Sequence, residues 1–259
     1  MTETETMTTT WLKCPAVRPE ATRRLVCFPH AGGSASFFHE WARQLPGYEI
    51  HAVCYPGRAA RLDEPLHTDL HRLADEIAEA LLTLPDDRPL AFLGHSMGAV
   101  VAYETALRLQ AAGRPVAHLY ASGARAPHLA HPDGDGPDGA GTADMDDEAI
   151  ADALVALGGT DAELLSDPDF RELVLPYVCG DFRMFDAYEH RPGPLLTCPV
   201  TAIAGDADPQ VGEAHAAAWA AVTEGVFDHR TVPGDHFYLI PRPPLAVLAR
   251  GLGLPHEVR

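Results

Sequence analysis

Leu90 to Ala99 reads LAFLGHSMGA, an apolar run followed by Gly94, His95, Ser96, Met97 and Gly98 and then the start of a helical stretch. The chain holds five serines and 22 glycines in 259 residues. That composition would yield about 0.04 GxSxG matches by chance, so the motif is informative. Its two glycines leave room for a tight strand-to-helix turn, which projects the Ser96 hydroxyl from a sheet and aims the positive end of the next helix at developing charge. The chemistry that fits is nucleophilic attack on an acyl group. The alternative is an ordinary helix N-cap at Ser96.

A serine hydroxyl at neutral pH needs a base, and the base needs an acid to hold its tautomer. Among 14 histidines, His236 stands out because VPGDHFYL puts it on a loop after an apolar run and a Pro233-Gly234 turn. His215 falls in a predicted helix, His229 in a predicted strand and His256 near the end of the chain. His95 adjoins the serine, with its side chain expected to point away from Oγ. The run GDADP offers Asp206 and Asp208 as the acid. Asp208 is favoured because it lies farther along the loop, and Asp206 is better suited to binding turn amides. An oxyanion needs two converging donors. Met97 N–H follows the nucleophile, and the turn in VCFPHAGGSA supplies Ala31 N–H, with Gly32 and Gly33 allowing close approach.

Such residues must be carried on strand ends. Apolar runs at Arg24 to Phe28, Ile50 to Tyr55, Leu90 to Gly94, Ala117 to Ser122, Val200 to Ala204 and Val226 to Val232 read as strands. Between them, Leu70, Leu73, Ala74, Ile77 and Leu81 form one helical stripe. Ser36 to Leu45, Met97 to Gln110 and Glu213 to Val222 read as further helices. Repeated strand–helix–strand units predict an α/β fold with a mainly parallel sheet covered on both faces. The pattern breaks from about Arg125 to Cys198. There a linker over residues 127–141 precedes helical stretches at Met145 to Leu157 and Phe170 to Tyr188. This insertion is expected either to be a solvated helical cap or to form a lid over the strand ends, where open α/β sheets bind ligands.

The formal net charge is −18, and residues 133–170 carry 12 acidic side chains and no Lys or Arg. That balance disfavours a nucleic acid or an anionic membrane as partner. Five cysteines with no CxxC pair suggest neither a disulfide framework nor a zinc site, so no metal is expected. The polar start MTETETMTTTWLK is not a secretory signal, and no apolar run is long enough to span a bilayer. A cytoplasmic protein is expected.

Taken in order, CFPHAGGSASFF, YPGRAARLDEP, FLGHSMGA, LPYVCGDFRMFDAY, IAGDADP and PGDHFYL resemble the type II thioesterases that accompany modular polyketide and nonribosomal peptide synthetases. The chain order Ser, Asp, His also matches the α/β-hydrolases, of which these enzymes are a branch. The resemblance covers Leu25 to about Leu248. It implies an α/β-hydrolase core over residues 23–124 and 198–259, a helical lid over 125–197 and an N-terminal extension over 1–22. It makes Ser96 the nucleophile, Asp208 the acid, His236 the base, and Ala31 with Met97 the oxyanion donors.

The implied reaction is hydrolysis of stalled acyl groups from the phosphopantetheine arm of acyl or peptidyl carrier domains. Partners would be transient, the enzyme a standalone monomer, and no dissociable cofactor would be needed. Phe182, Met184, Phe185 and Tyr188 are expected to set acyl preference from the lid. Cys179, Gly180 and Asp181 stand where the family often has Arg-Ala-Asp, so a lid contact made by that arginine is not carried over. Carrier domains are usually acidic, which leaves Arg58, Arg61 and Arg72, rather than the acidic insertion, as expected docking residues. The competing readings are a small-molecule carboxylesterase or lipase, a chain-terminating thioesterase, and a catalytically silent hydrolase-like binding protein.

Overall fold

The computed structural model describes residues 10–130, 146–156 and 167–251. Within them seven strands form one sheet: β1 (Leu12–Lys13), β2 (Arg23–Phe28), β3 (Tyr48–Val53), β4 (Leu90–His95), β5 (His118–Ser122), β6 (Val200–Gly205) and β7 (Phe227–Val232). Their spatial order is β1-β3-β2-β4-β5-β6-β7. β1 pairs antiparallel with β3, and every other pair is parallel. All six strands expected from apolar runs are present. β1 was not expected, because two residues carry no readable periodicity. Just past the end of β3, Cys54 N donates to Trp11 O at 2.8 Å, in register with the β1–β3 pairing.

A parallel sheet must be covered on both faces, and alternation along the strands divides the core accordingly. In β2, Val26 and Phe28 join one apolar cluster while Leu25 and Cys27 join the other. In β4, Phe92 and Leu93 divide the same way. The first cluster is closed by α2 (Leu70–Leu82) and α3 (Met97–Ala111). Asp69 caps α2 by accepting the amides of His71 and Arg72, and its stripe Leu70, Leu73, Ala74, Ile77 and Leu81 is buried. Truncating a side chain such as Phe92, wholly enclosed between α-helix and strand, would cost about 3–5 kcal/mol. On the other face lie Phe38, Trp41 and Leu248. The single helix expected over Ser36 to Leu45 is instead a 3-10 turn, Ala35–Phe38, followed by the short α1 (Trp41–Gln44).

Between β5 and β6 the chain leaves the sheet. A 3-10 turn at Pro127–Leu129 replaces the start of the expected linker, whose residues 131–141 lie outside the described residues. α4 (Asp147–Ala156) and α5 (Pro168–Asp186) follow, packed through Ile150, Val174, Val178 and Cys179. Asp167 caps α5, and Arg183 pairs with Asp147 across the two helices at 2.6 Å. After β6 come α6 (Glu213–Ala217), a 3-10 turn at Ala218–Val222 where continuous helix was expected, and, beyond β7, α7 (Leu245–Gly251). No helix among the described residues is long and apolar enough to cross a membrane.

Candidate active site

Because β2, β4, β6 and β7 run parallel, the residues that follow them emerge at one edge of the sheet. The strand order reverses about β2, since β3 lies on one side of it and β4 on the other. Open α/β sheets bind ligands at such a switch point. The loops that arrive there are Pro29–Gly33 after β2, Ser96 after β4, Asp206–Asp208 after β6 and Gly234–His236 after β7.

Ser96 occupies a strained turn, with φ 54° and ψ −126°. A non-glycine residue held there costs about 1–3 kcal/mol and persists only when its surroundings enforce it. The surroundings do so at backbone contact distance. A Cβ on Gly94 would sit 2.1 Å from Gly98 O, and one on Gly98 would sit 2.3 Å from Phe28 O and 2.4 Å from Pro29 O. Ser96 N donates to Ser122 O at 2.8 Å, so the turn is also tied to the end of β5. Its side chain caps no helix amide, which removes the N-cap alternative.

His236 and Asp208 form a hydrogen-bonded pair, Nδ1 to Oδ2 at 2.9 Å, with side chains 2% and 0% exposed. The two loops that carry them are joined along their length: Ala207 N donates to Gly234 O at 2.9 Å, and Gly234 N donates to Asp206 Oδ1 at 2.9 Å. Asp206 therefore binds a turn amide and Asp208 meets the imidazole. Burial tends to raise the Asp208 pKa, but the hydrogen bond and charge of His236 and the amides of Gln210 and Val211 outweigh it and hold the carboxyl below its ordinary value. A methyl on Gly123 would lie 3.5 Å from His236 Cε1. The imidazole thus reaches the peptide beside Ser122, whose carbonyl holds Ser96.

Ala31 and Met97 are both buried, and among the described residues neither amide donates a hydrogen bond. Buried unpaired N–H groups are rare and call for a partner. The next amide in the loop, Gly32 N, is already taken by Asp181 Oδ2 at 2.8 Å. Tyr55 OH donates to Pro29 O at 3.1 Å and fixes the start of the loop.

Several side chains lie elsewhere than the sequence suggested. Arg58 is 4% exposed and makes a bidentate pair with Asp181, both contacts at 2.6 Å. Burial weakens its charged form, but Asp181 more than compensates and raises its pKa. Arg61 is 8% exposed, paired with Glu64 and stacked 3.8 Å over Trp11. Neither can dock a carrier. Of the three expected docking arginines only Arg72 is exposed, beside Glu76 at 3.5 Å. Tyr188 departs from the expected chamber wall: it is buried, and its hydroxyl donates at 2.8 Å to Glu104, which also meets His71 and Arg108. Met184 is buried in the first core cluster, while Phe182 and Phe185 are half-buried against it.

Sequence reasoning missed Glu104, and it named His95 and Asp181 without giving either a role in the site. His95 is fully buried, with Nδ1 bonded to Ser122 Oγ at 2.9 Å and its ring 5.1 Å from His236. Its place beside the serine singles it out in the sequence, but its partners come from β5 and the His236 loop. Cys14, Glu49 and His51 gather three potential metal donors within 4.8 Å of one another, at the amino ends of the strands. Glu49, however, is already engaged by Arg24, Arg88 and His51, so the carboxylate is neutralised by cations of the chain itself.

Comparison with known proteins agrees with this fold. The chain is 42% identical over 231 residues to thioesterase PikA5 of Streptomyces venezuelae, covering 88% of this chain and 80% of that one. Its structure is similar to that of the type II thioesterase BorB from the borrelidin biosynthetic cluster, with TM-score 0.85, 35% identity, and coverage of 95% and 99%. It is also similar to YbtT, a type II thioesterase from the yersiniabactin NRPS/PKS pathway, with TM-score 0.83, 29% identity, and coverage of 94% and 98%. The thioesterase domain model matches residues 23–249. An α/β-hydrolase sheet, a strained serine turn and a buried His–Asp pair at the same edge of that sheet, and this match across most of its length together make the chain a member of the thioesterase family.

Proposed function

We propose that this protein is a type II thioesterase that clears aberrant or stalled acyl groups from the phosphopantetheine arm of carrier domains in a polyketide or nonribosomal peptide synthetase. The observation that carries the reading is that the strained Ser96 turn and the hydrogen-bonded His236–Asp208 pair stand on loops at the same edge of the sheet. The names of the similar proteins support the pathway class. In this reading the enzyme is a cytoplasmic monomer that meets its carrier transiently and needs no metal or dissociable cofactor.

Ser96 Oγ attacks the thioester carbonyl while His236 Nε2 takes its proton. Asp208 keeps the other ring nitrogen protonated and stabilises the imidazolium. The oxyanion accepts the Ala31 and Met97 amides. A thiol of pKa about 8–9 leaves as thiolate or takes the proton from His236, so departure needs less acid assistance than an amine would. A water activated by His236 then frees Ser96. The acyl chain would lie against Phe182 and Phe185, two of the half-buried aromatic side chains of α5.

Hydrolysis of acetyl, propionyl and longer acyl groups on a holo carrier protein, beside the matching N-acetylcysteamine thioesters and p-nitrophenyl esters, tests the proposal, with Ser96→Ala as control. Much higher kcat/KM on the carrier, and a dead Ser96→Ala variant, is the expected result. Preference for simple esters would make the protein a general esterase, and full activity in Ser96→Ala would remove the triad mechanism.

A further inference from the structure

The loop that carries Ala31 is held from outside its own chain segment. Asp181, in the middle of α5 and 4% exposed, accepts Gly32 N at 2.8 Å and Arg58 Nη1 at 2.6 Å on Oδ2, and Arg58 Nη2 at 2.6 Å on Oδ1. Arg58 Nη1 also donates to Gly33 O at 3.0 Å. The ion pair therefore grips the amide of one loop residue and the carbonyl of the next. Helix α5 meets the same turn directly, because Gly32 has φ 74° and a Cβ there would lie 2.9 Å from Val178 Cγ2.

Two consequences follow from elementary electrostatics and geometry. With its amide engaged, Gly32 cannot serve as an oxyanion donor, and the orientation of the neighbouring Ala31 peptide is set. A bare carboxylate near a developing oxyanion would oppose catalysis, since like charges repel strongly in a dry site. The Arg58 guanidinium cancels that charge while keeping both carboxylate oxygens in place.

We propose that Asp181, held and neutralised by Arg58, is a positioning residue that ties the insertion helix to the oxyanion loop, so that the Ala31 donor is aimed correctly only when α5 is seated. This rests on the serine thioesterase reading above. Asp181 touches no reacting atom; it acts through Gly32.

The test must not leave a lone buried charge, because removing one partner of a buried pair is strongly destabilising, whereas replacing both with apolar groups is often tolerated. The double variant Arg58→Met/Asp181→Leu removes the charge pair and the Gly32 acceptor together. Arg58→Met/Asp181→Asn removes the charges but leaves an oxygen for Gly32 N. Each is assayed for kcat and KM on an acyl thioester, for inhibition by an acyl trifluoromethyl ketone, which adds to Ser96 as a tetrahedral oxyanion, and for melting temperature. A non-hydrolysable thioether analogue reports ground-state binding.

The expected result for the Leu double variant is a fall in kcat of about 10- to 100-fold, the range of an impaired oxyanion donor or slightly displaced group. Trifluoromethyl ketone affinity falls by a similar factor, while KM and thioether affinity stay within about threefold and the protein still melts cooperatively. The Asn double variant recovers most of the lost ketone affinity. Wild-type kcat and ketone affinity in the Leu double variant would overturn the proposal, as would equal weakening of ketone and thioether. If the wild-type protein cleaves no thioester, or Ser96→Ala remains active, the underlying reading fails instead.

Discussion

The His95 ring lies 5.1 Å from the His236 ring at a tilt of 43° and is itself fixed by Nδ1 to Ser122 Oγ, which in turn meets Tyr238 OH at 2.6 Å. Burial, and the nearby charges of His236 and His30, hold the His95 pKa well below its ordinary value, so the side chain stays neutral while His236 cycles its proton. A neutral wall lets the imidazolium form without a second cation against it. Its packing also sets the ring plane of His236. Replacing it with an aliphatic side chain, His95→Leu, is expected to lower kcat by about tenfold or more through misalignment, with KM changed less than about threefold. Steady-state kinetics with a parallel melting curve checks this, and a change confined to KM would count against it.

Asp208 and Asp206 separate cleanly by partner. Asp208 Oδ2 meets His236 Nδ1, whereas Asp206 Oδ1 accepts only the Gly234 amide among the described contacts. Asp208→Asn can present an N–H to the imidazole and select the wrong tautomer, for which a kcat loss of about 10³–10⁴ is expected. Asp206→Asn keeps an oxygen for Gly234 N, and its kcat should stay within about threefold of wild type. Comparing the two variants on one acyl thioester decides which aspartate serves the histidine.

The serine turn predicts opposing effects on stability and activity. Ser96→Gly removes the steric cost of φ 54° and should stabilise the fold by about 1 kcal/mol while abolishing hydrolysis. Gly98→Ala would drive a methyl into the backbone carbonyls of Phe28 and Pro29, neither of which belongs to a flexible side chain, and should destabilise by about 1–3 kcal/mol or more. Urea denaturation of both variants tests the pair. A destabilised Ser96→Gly would mean that the turn is not strained.

Much of this arrangement was legible in the sequence. Strands buried on both faces read as unbroken apolar runs such as LVCF and VTAIAG, and turn residues after them located the loops on which Ser96, Asp208 and His236 stand. Less legible were contacts that only tertiary structure creates. Arg58 and Asp181 are 123 residues apart, and each charge taken alone reads as a solvated surface group. Arg58 therefore looked like a docking residue, although the fold buries it. Tyr188 misled for the same reason: an aromatic side chain at the end of an insertion helix suggests a chamber, and its actual partner, Glu104, sits inside α3.

Tyr188 is thus expected to behave differently from Phe182 and Phe185 of α5. Tyr188→Phe removes a hydrogen bond to a charged group and should cost about 1.5–3 kcal/mol of stability while leaving acyl-chain preference unchanged. Phe182→Ala and Phe185→Ala, by opening apolar space beside α5, should instead shift the ratio of kcat/KM between short and long acyl thioesters. A chain-length series run on all three variants separates anchoring from selectivity.

His30, in the loop that carries Ala31, gives the clearest dependence on pH. Its ring stands edge-on to Phe237 at 4.9 Å and to Phe37 at 5.4 Å, and its Nδ1 is buried without a hydrogen-bond partner. Burial, then the positive charges of His236 and Arg58, push its pKa down to about 3 from an ordinary 6.5. Below pH 6.5 the unfolded chain takes up a proton that the folded chain refuses. Stability from this site is therefore complete above pH 6.5 and is lost as pH falls toward 3, by up to about 1.4 kcal/mol per pH unit. Carboxylates such as Asp208, whose pKa is lowered by folding, add their own losses at the acid end of the same range. His30→Phe keeps the edge-on ring contacts and removes the titration, so the variant should lose less stability than wild type between pH 6.5 and 4.5. Urea unfolding at a series of pH values measures the difference between the two slopes. Parallel slopes would mean that folding does not shift the His30 pKa, so that the folded protein takes up the same proton as the unfolded chain below pH 6.5.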